Sequence, residues 1–131
     1  MTTPIRIRVG DLIVEGELFD TPCAQRITEF LPLEGIPQQW GDEFYFPIPV
    51  AEPLDATATK VVQIGEIGYW PPGRALAIFF GRTPYSIGEA PVPASAVNVV
   101  GRVTEDARML RRVTDLSRIR VERRENFGQQ K

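Results

Sequence analysis

The side chains with chemical potential in this 131-residue chain gather in two stretches, 40–46 and 69–82. Along the extended segment 43–46 side chains alternate, so Glu43 and Tyr45 share one side while Asp42 and Phe44 take the other. Glu43 is therefore the acid that can face a groove. A carboxylate pair for acid–base work would need Asp42 and Glu43 to converge, and adjacent strand residues diverge. Tyr69 and Trp70 each carry an aromatic body with one polar atom, which suits the wall of a peptide or small-molecule pocket; packing over the end of a sheet explains them equally well. Arg74 and Arg82 can bring positive charge to the same neighbourhood, and Phe79 and Phe80 point to opposite faces of one strand. With Trp40 the candidate groove set is Trp40, Glu43, Tyr45, Tyr69, Trp70, Arg74, Phe80 and Arg82.

Much other chemistry is excluded by composition. With no histidine the chain lacks the commonest catalytic base and metal ligand, and a single cysteine rules out an internal disulfide framework. Cys23 falls on an apolar stripe and reads as a small buried hydrophobe rather than a thiol nucleophile. No set of residues has metal-ligand spacing, no glycine loop of phosphate-binding type precedes a helix, and no cofactor is implied. The net charge of −2 gives no electrostatic case for nucleic acid. Seven arginines lie between Arg108 and Arg124, yet acids at 105, 106, 115, 122 and 125 interleave with them, as on a solvated face. No apolar run is long enough for a membrane helix and no export signal is evident at the start, so a cytoplasmic location is expected.

The elements that position these residues follow from pattern. Ile5, Ile7 and Val9 alternate with Arg6 and Arg8, Gly10-Asp11 turns the chain, and residues 12–19 return as the second strand of a hairpin. Asp20 or Thr21 can cap a short helix with Pro22 in its first turn. Residues 40–46 are strand-like until Pro47 and Pro49 confine them to an edge. Residues 60–67 and 74–80 read as two strands joined by a rigid, aromatic-tipped loop with its turn at 70–73. The second strand alternates Leu76, Ile78 and Phe80 with Ala75, Ala77 and Phe79; both faces are apolar, which argues for a central strand. Residues 51–59 show no periodicity, and residues 82–95 form a long Pro-rich connection of a kind often functional. A strand over 96–104, a short helix over 105–113 capped by Thr104 or Asp106, and a last strand over 116–124 complete the series. The expectation is one mostly-β domain over residues 1–125, an antiparallel sheet of about eight strands closed as a barrel with two short helices, and a frayed tail at 126–131.

Three blocks, WGDEFYFPIPV at 40–50, VVQIGEIGYWPPGRALAIFFGRTP at 61–84 and PASAVNVVGRV at 93–103, resemble the signatures of the small prokaryotic cyclophilin-like family. The resemblance implies a cyclophilin-type antiparallel barrel of eight strands, its ends capped by helices. True cyclophilins isomerise Xaa-Pro bonds, whose ~20 kcal/mol barrier comes from amide resonance. Their catalysis uses an apolar proline pocket and an arginine aimed at the prolyl nitrogen. The corresponding stretch here, Trp40 to Val50, has no arginine, and the groove histidine of true cyclophilins has no counterpart. The expected function is therefore a barrel that binds a peptide or small molecule. An atypical prolyl isomerase drawing on Arg74 or Arg82, and a small-molecule enzyme using Glu43, are the alternatives.

Overall fold

A computed structural model describes residues 1–124. Strand β1 (Thr3–Val9) and strand β2 (Leu12–Leu18) form the expected hairpin, with Val9 opposite Leu12 and Gly10 at φ 57°, a conformation that glycine reaches without cost. Ile5, Ile7, Val9, Val14 and Leu18 are buried, while Arg8 turns outward to Glu122 at 3.3 Å. Helix α1 (Pro22–Thr28) starts where Thr21 Oγ1 accepts the Ala24 N–H, and it lays Cys23, Ala24 and Ile27 onto the sheet.

The remaining strands are β3 (Leu33–Gly35), β4 (Gln38–Gln39), β5 (Glu43–Pro47), β6 (Ala58–Thr59), β7 (Glu66–Trp70), β8 (Ala75–Phe79), β9 (Val97–Val103) and β10 (Ile119–Arg123). They form one antiparallel sheet in the order β3-β10-β1-β2-β9-β7-β8-β5-β4, with β6 added along β9. A 3₁₀ turn at Pro71–Gly73 links β7 to β8, and a 3₁₀ helix at Ala107–Arg112 follows β9. Asp106 caps the latter through the Arg108 N–H.

The expected closed barrel is corrected to a curled, open sheet, because β3 and β4 at its two ends do not pair. These strands are only three and two residues long, and Ile36-Pro37 between them includes a residue with no N–H to give. The chain itself spans the gap there, and Phe46 of β5 packs so tightly on Gly35 of β3 that a Cβ at Gly35 would meet its ring at 2.9 Å. Phe46 thus packs across the gap that hydrogen bonding leaves open.

Two other expectations change. Residues 60–65 are not a strand: Gly65 at φ 99° ends a turn in which the Glu66 carboxylate accepts the Gln63 N–H, and β7 begins only at Glu66. Tyr69 and Trp70 are consequently strand residues, not a loop tip. Within residues 51–59, the short β6 pairs with β9, opposite Asn98 and Val97. The tail expected at 126–131 lies outside the described residues.

Across β5, β8 and β7 the register sorts side chains onto two faces. Phe44, Ile78 and Ile67 stand in one row facing the curl, where the main core lies; Tyr45, Ala77 and Gly68 stand in another on the outside. The outer face carries its own apolar cluster of Val62, Ala77, Phe79 and Val97, partly covered by Tyr45 and Trp70. This second cluster, not barrel closure, explains why β8 is apolar on both faces. Among the described residues no helix is long and apolar enough to cross a membrane.

Candidate functional site

On the outer face lies a cavity of about 220 Å³, lined by Trp40, Glu43, Tyr45, Trp70, Tyr85, Pro93, Ala94 and Val97. Strand alternation places Glu43 and Tyr45 there, since their neighbours Phe44 and Phe46 turn into the core. Trp70 reaches it from the end of β7 and is held by its indole N–H, which donates to Ser95 Oγ at 2.7 Å. Gly68 has room for no side chain: a Cβ there would stand 2.9 Å from Val97, so its absence lets Val97 settle at the base of the site.

The loop 82–95 forms the far wall. Thr83 and Ser86, both buried, tie it together: Thr83 Oγ1 donates to the Val92 carbonyl at 2.5 Å and accepts the Tyr85 N–H at 3.2 Å, while Ser86 Oγ donates to the Ala90 carbonyl at 2.8 Å. Tyr85 so fixed meets Trp40 edge to face with ring centroids 4.9 Å apart. Tyr45 and Trp70 form a second edge-to-face pair at 6.4 Å. Four aromatic rings thus surround a single acid.

That acid has an unusual environment. Glu43 is 7% exposed, and its Oε1 is buried without a hydrogen-bond partner. Burial penalises the charged form and pushes the carboxyl up from 4.5 to about 7. Its neighbour Asp42 turns the other way and accepts from Arg111 Nε at 2.9 Å, so the two acids diverge as the strand pattern required.

The cavity therefore gathers Trp40, Glu43, Tyr45 and Trp70 from the candidate set and leaves four residues elsewhere. Tyr69, next to Trp70, takes the inner face; it is fully buried, donates to the Val50 carbonyl at 2.5 Å and accepts the Glu52 N–H at 3.3 Å. Phe80 likewise faces inward, against Phe44 at 4.7 Å. Arg74 is exposed beyond the Pro71–Gly73 turn in the left-handed conformation, φ 47°. Arg82 is exposed and donates to the Ser86 carbonyl at 3.2 Å. Asn98, in β9, is buried and pins the loop before β6 through the Pro53 carbonyl and the Asp55 N–H. Tyr85, Pro93, Ala94 and Val97 were not singled out by sequence reasoning; the signal was the length and proline content of the loop carrying the first three. Among the described residues no cluster of three or more metal-ligating side chains occurs.

The model of the family described as "Cyclophilin-like" matches residues 3–122. This chain belongs to the cyclophilin-like family. Its structure is similar to the solution structure of a hypothetical protein from Archaeoglobus fulgidus, with 37% identity over 94% of this chain and 95% of that one and a TM-score of 0.76. No curated protein matches the sequence. Family membership fixes the architecture of this cyclophilin-like chain; its chemistry must be argued from the cavity.

Proposed function

We propose that this cyclophilin-like protein is a binding module whose ligand, a small molecule or one side chain of a short peptide, enters the outer-face cavity and meets Glu43. The observation that carries the reading is the unpartnered, buried Oε1 of Glu43. A buried polar atom without a partner costs about 1–3 kcal/mol, and Glu43, which carries it, stands in the cavity wall where a ligand can reach the carboxyl group. The volume of about 220 Å³ lies below the ~300–1,000 Å³ of drug-sized sites, which favours a head group or fragment over a peptide laid lengthwise.

The test uses a favourable accident. Both tryptophans of the chain, Trp40 and Trp70, line the cavity, so indole fluorescence and the two indole N–H resonances report on it directly. A screen of fragment-sized neutral, anionic and cationic compounds is expected to yield ligands that shift both signals and raise the melting temperature; at a hundred times its Kd a ligand stabilises by about 2.7 kcal/mol. If no compound in any charge class moves either indole, the binding reading is wrong.

A second reading is enzymatic. A carboxyl that titrates at about 7 within a ring of aromatics is suited to give or take a proton at neutral pH. Turnover of a ligand found in the screen, abolished by Glu43→Gln with binding retained, would establish it.

A further inference from the structure

We infer that the cavity is a receptor for a cation, an alkylammonium head group carried either by a free amine or by a lysine side chain. The inference rests on the binding reading above and deepens it by naming the ligand's charge and chemistry.

Several features of the site converge. An ionised Glu43 would hold a negative charge away from water, and buried charges persist only when an opposite charge meets them. The lining supplies no lysine or arginine to do so. Asp42 already occupies Arg111, and Arg82 is exposed and donating to Ser86. Among the described residues no cation lines the cavity, so a cationic ligand would supply the counter-charge that an ionised Glu43 lacks.

The walls make the same demand by another route. Trp40, Tyr45, Trp70 and Tyr85 are electron-rich rings around one small space, and aromatic enclosures favour cations, quaternary ammonium groups in particular. Their polar atoms are partly spent: the Trp70 indole donates to Ser95 and the Tyr45 hydroxyl donates to Gln38 Oε1 at 3.4 Å. An anionic ligand would meet the like charge of an ionised Glu43. A neutral ligand would gain the apolar contact but leave an ionised Glu43 without its counter-charge. The modest volume suits a head group of a few heavy atoms.

The experiment compares probes of similar size and different charge on the full chain at about pH 8, above the value of about 7 to which burial raises Glu43. Choline and its neutral carbon isostere form one pair, butylamine and butyrate the other, and N-acetyl-lysine methylamide stands for a peptide source. Trp40 and Trp70 fluorescence and indole N–H shifts are the readouts. The expected result is that choline or butylamine binds about tenfold or more tightly than its uncharged or anionic counterpart. Glu43→Gln is expected to erase that difference, and Trp70→Leu to weaken the cation more than the isostere. Tighter binding of the lysine amide than of butylamine would assign the cation to a peptide, and the reverse order to a free amine.

Equal or better binding of the neutral isostere or of butyrate would overturn the cation assignment while leaving the cavity a binding site. Silence from every cationic probe, with neutral fragments still binding, would do the same. Should Glu43→Gln fail to fold, the isostere comparison on the unaltered protein decides alone.

Discussion

Glu43 and Asp42 are adjacent carboxylates with opposite surroundings, and the contrast has a measurable consequence for stability. Asp42 has the Arg111 guanidinium at 2.9 Å, whereas Glu43 has burial and nothing to offset it. With its folded pKa raised from 4.5 to about 7, Glu43 binds its proton more tightly in the folded than in the unfolded chain. Stability linked to this group is full below about pH 4.5, falls as the pH rises, and levels off above about pH 7. At about 1.4 kcal/mol per pH unit, the loss is on the order of 3 kcal/mol. Glu43→Gln removes the titration while keeping shape and polarity. Urea melts are expected to show the variant more stable than the parent at pH 8 by up to ~3 kcal/mol, with the gap closing near pH 4. A parent whose Glu43-dependent stability is flat across that range would refute the buried-acid assignment. The outward direction of Glu43 could be read from alternation alone. Its burial could not, because the cover comes from Tyr85, Pro93 and Ala94, whose position depends on tertiary folding.

At the scale of elements, the cavity is as rigid as the loop over it. Residues 82–95 have no regular structure, and two side-chain hydroxyls perform the task a ladder would otherwise do. Thr83→Val keeps the side-chain shape but deprives the Val92 carbonyl of its donor and the Tyr85 N–H of its acceptor. A fully buried group left unpaired costs about 1–3 kcal/mol; with two part-buried groups affected, a total destabilisation of about 1–3 kcal/mol is expected. Amide exchange should accelerate at 83–92, and Trp40 emission should shift to the red as Tyr85 leaves it. Unchanged exchange across the loop would show that packing, not the hydroxyls, holds the wall. The loop's length and prolines marked it from the sequence, yet the hydroxyl network is a set of contacts between residues whose types are ordinary in any turn. The misplaced strand at 60–67 has a similar cause: Val61, Val62 and Ile64 are good strand formers, and the Gly65 turn with its Glu66 carboxylate overrides them. Where local chemistry is decisive, as in the Gly10 hairpin, the Thr21 cap and the Pro71–Gly73 turn, sequence and structure agree.

For the whole molecule, two decks of side chains on one curled sheet explain both what was legible and what the site can do. The alternation in β8 announced two apolar faces; whether the sheet closed depended on the pairing of β3 with β4, segments too short for periodicity to reveal. The same two-deck arrangement bears on isomerase chemistry. It sends Tyr69 and Phe80 inward and the cavity outward, while Arg74 and Arg82 stand exposed and contribute nothing to its lining. Lowering a barrier of ~20 kcal/mol at an Xaa-Pro bond needs a donor aimed at the prolyl nitrogen, and the lining holds an acid and no arginine. The expected outcome is no isomerase activity. Exchange spectroscopy on a panel of Xaa-Pro peptides, with the protein at high concentration, should give interconversion rates equal to those of the peptides alone, for the parent and for an Arg74→Ala, Arg82→Ala double variant alike. Accelerated exchange by the parent that the double variant loses would mean that one of these exposed arginines reaches a proline-binding surface, and the division of labour between the two faces would have to be redrawn.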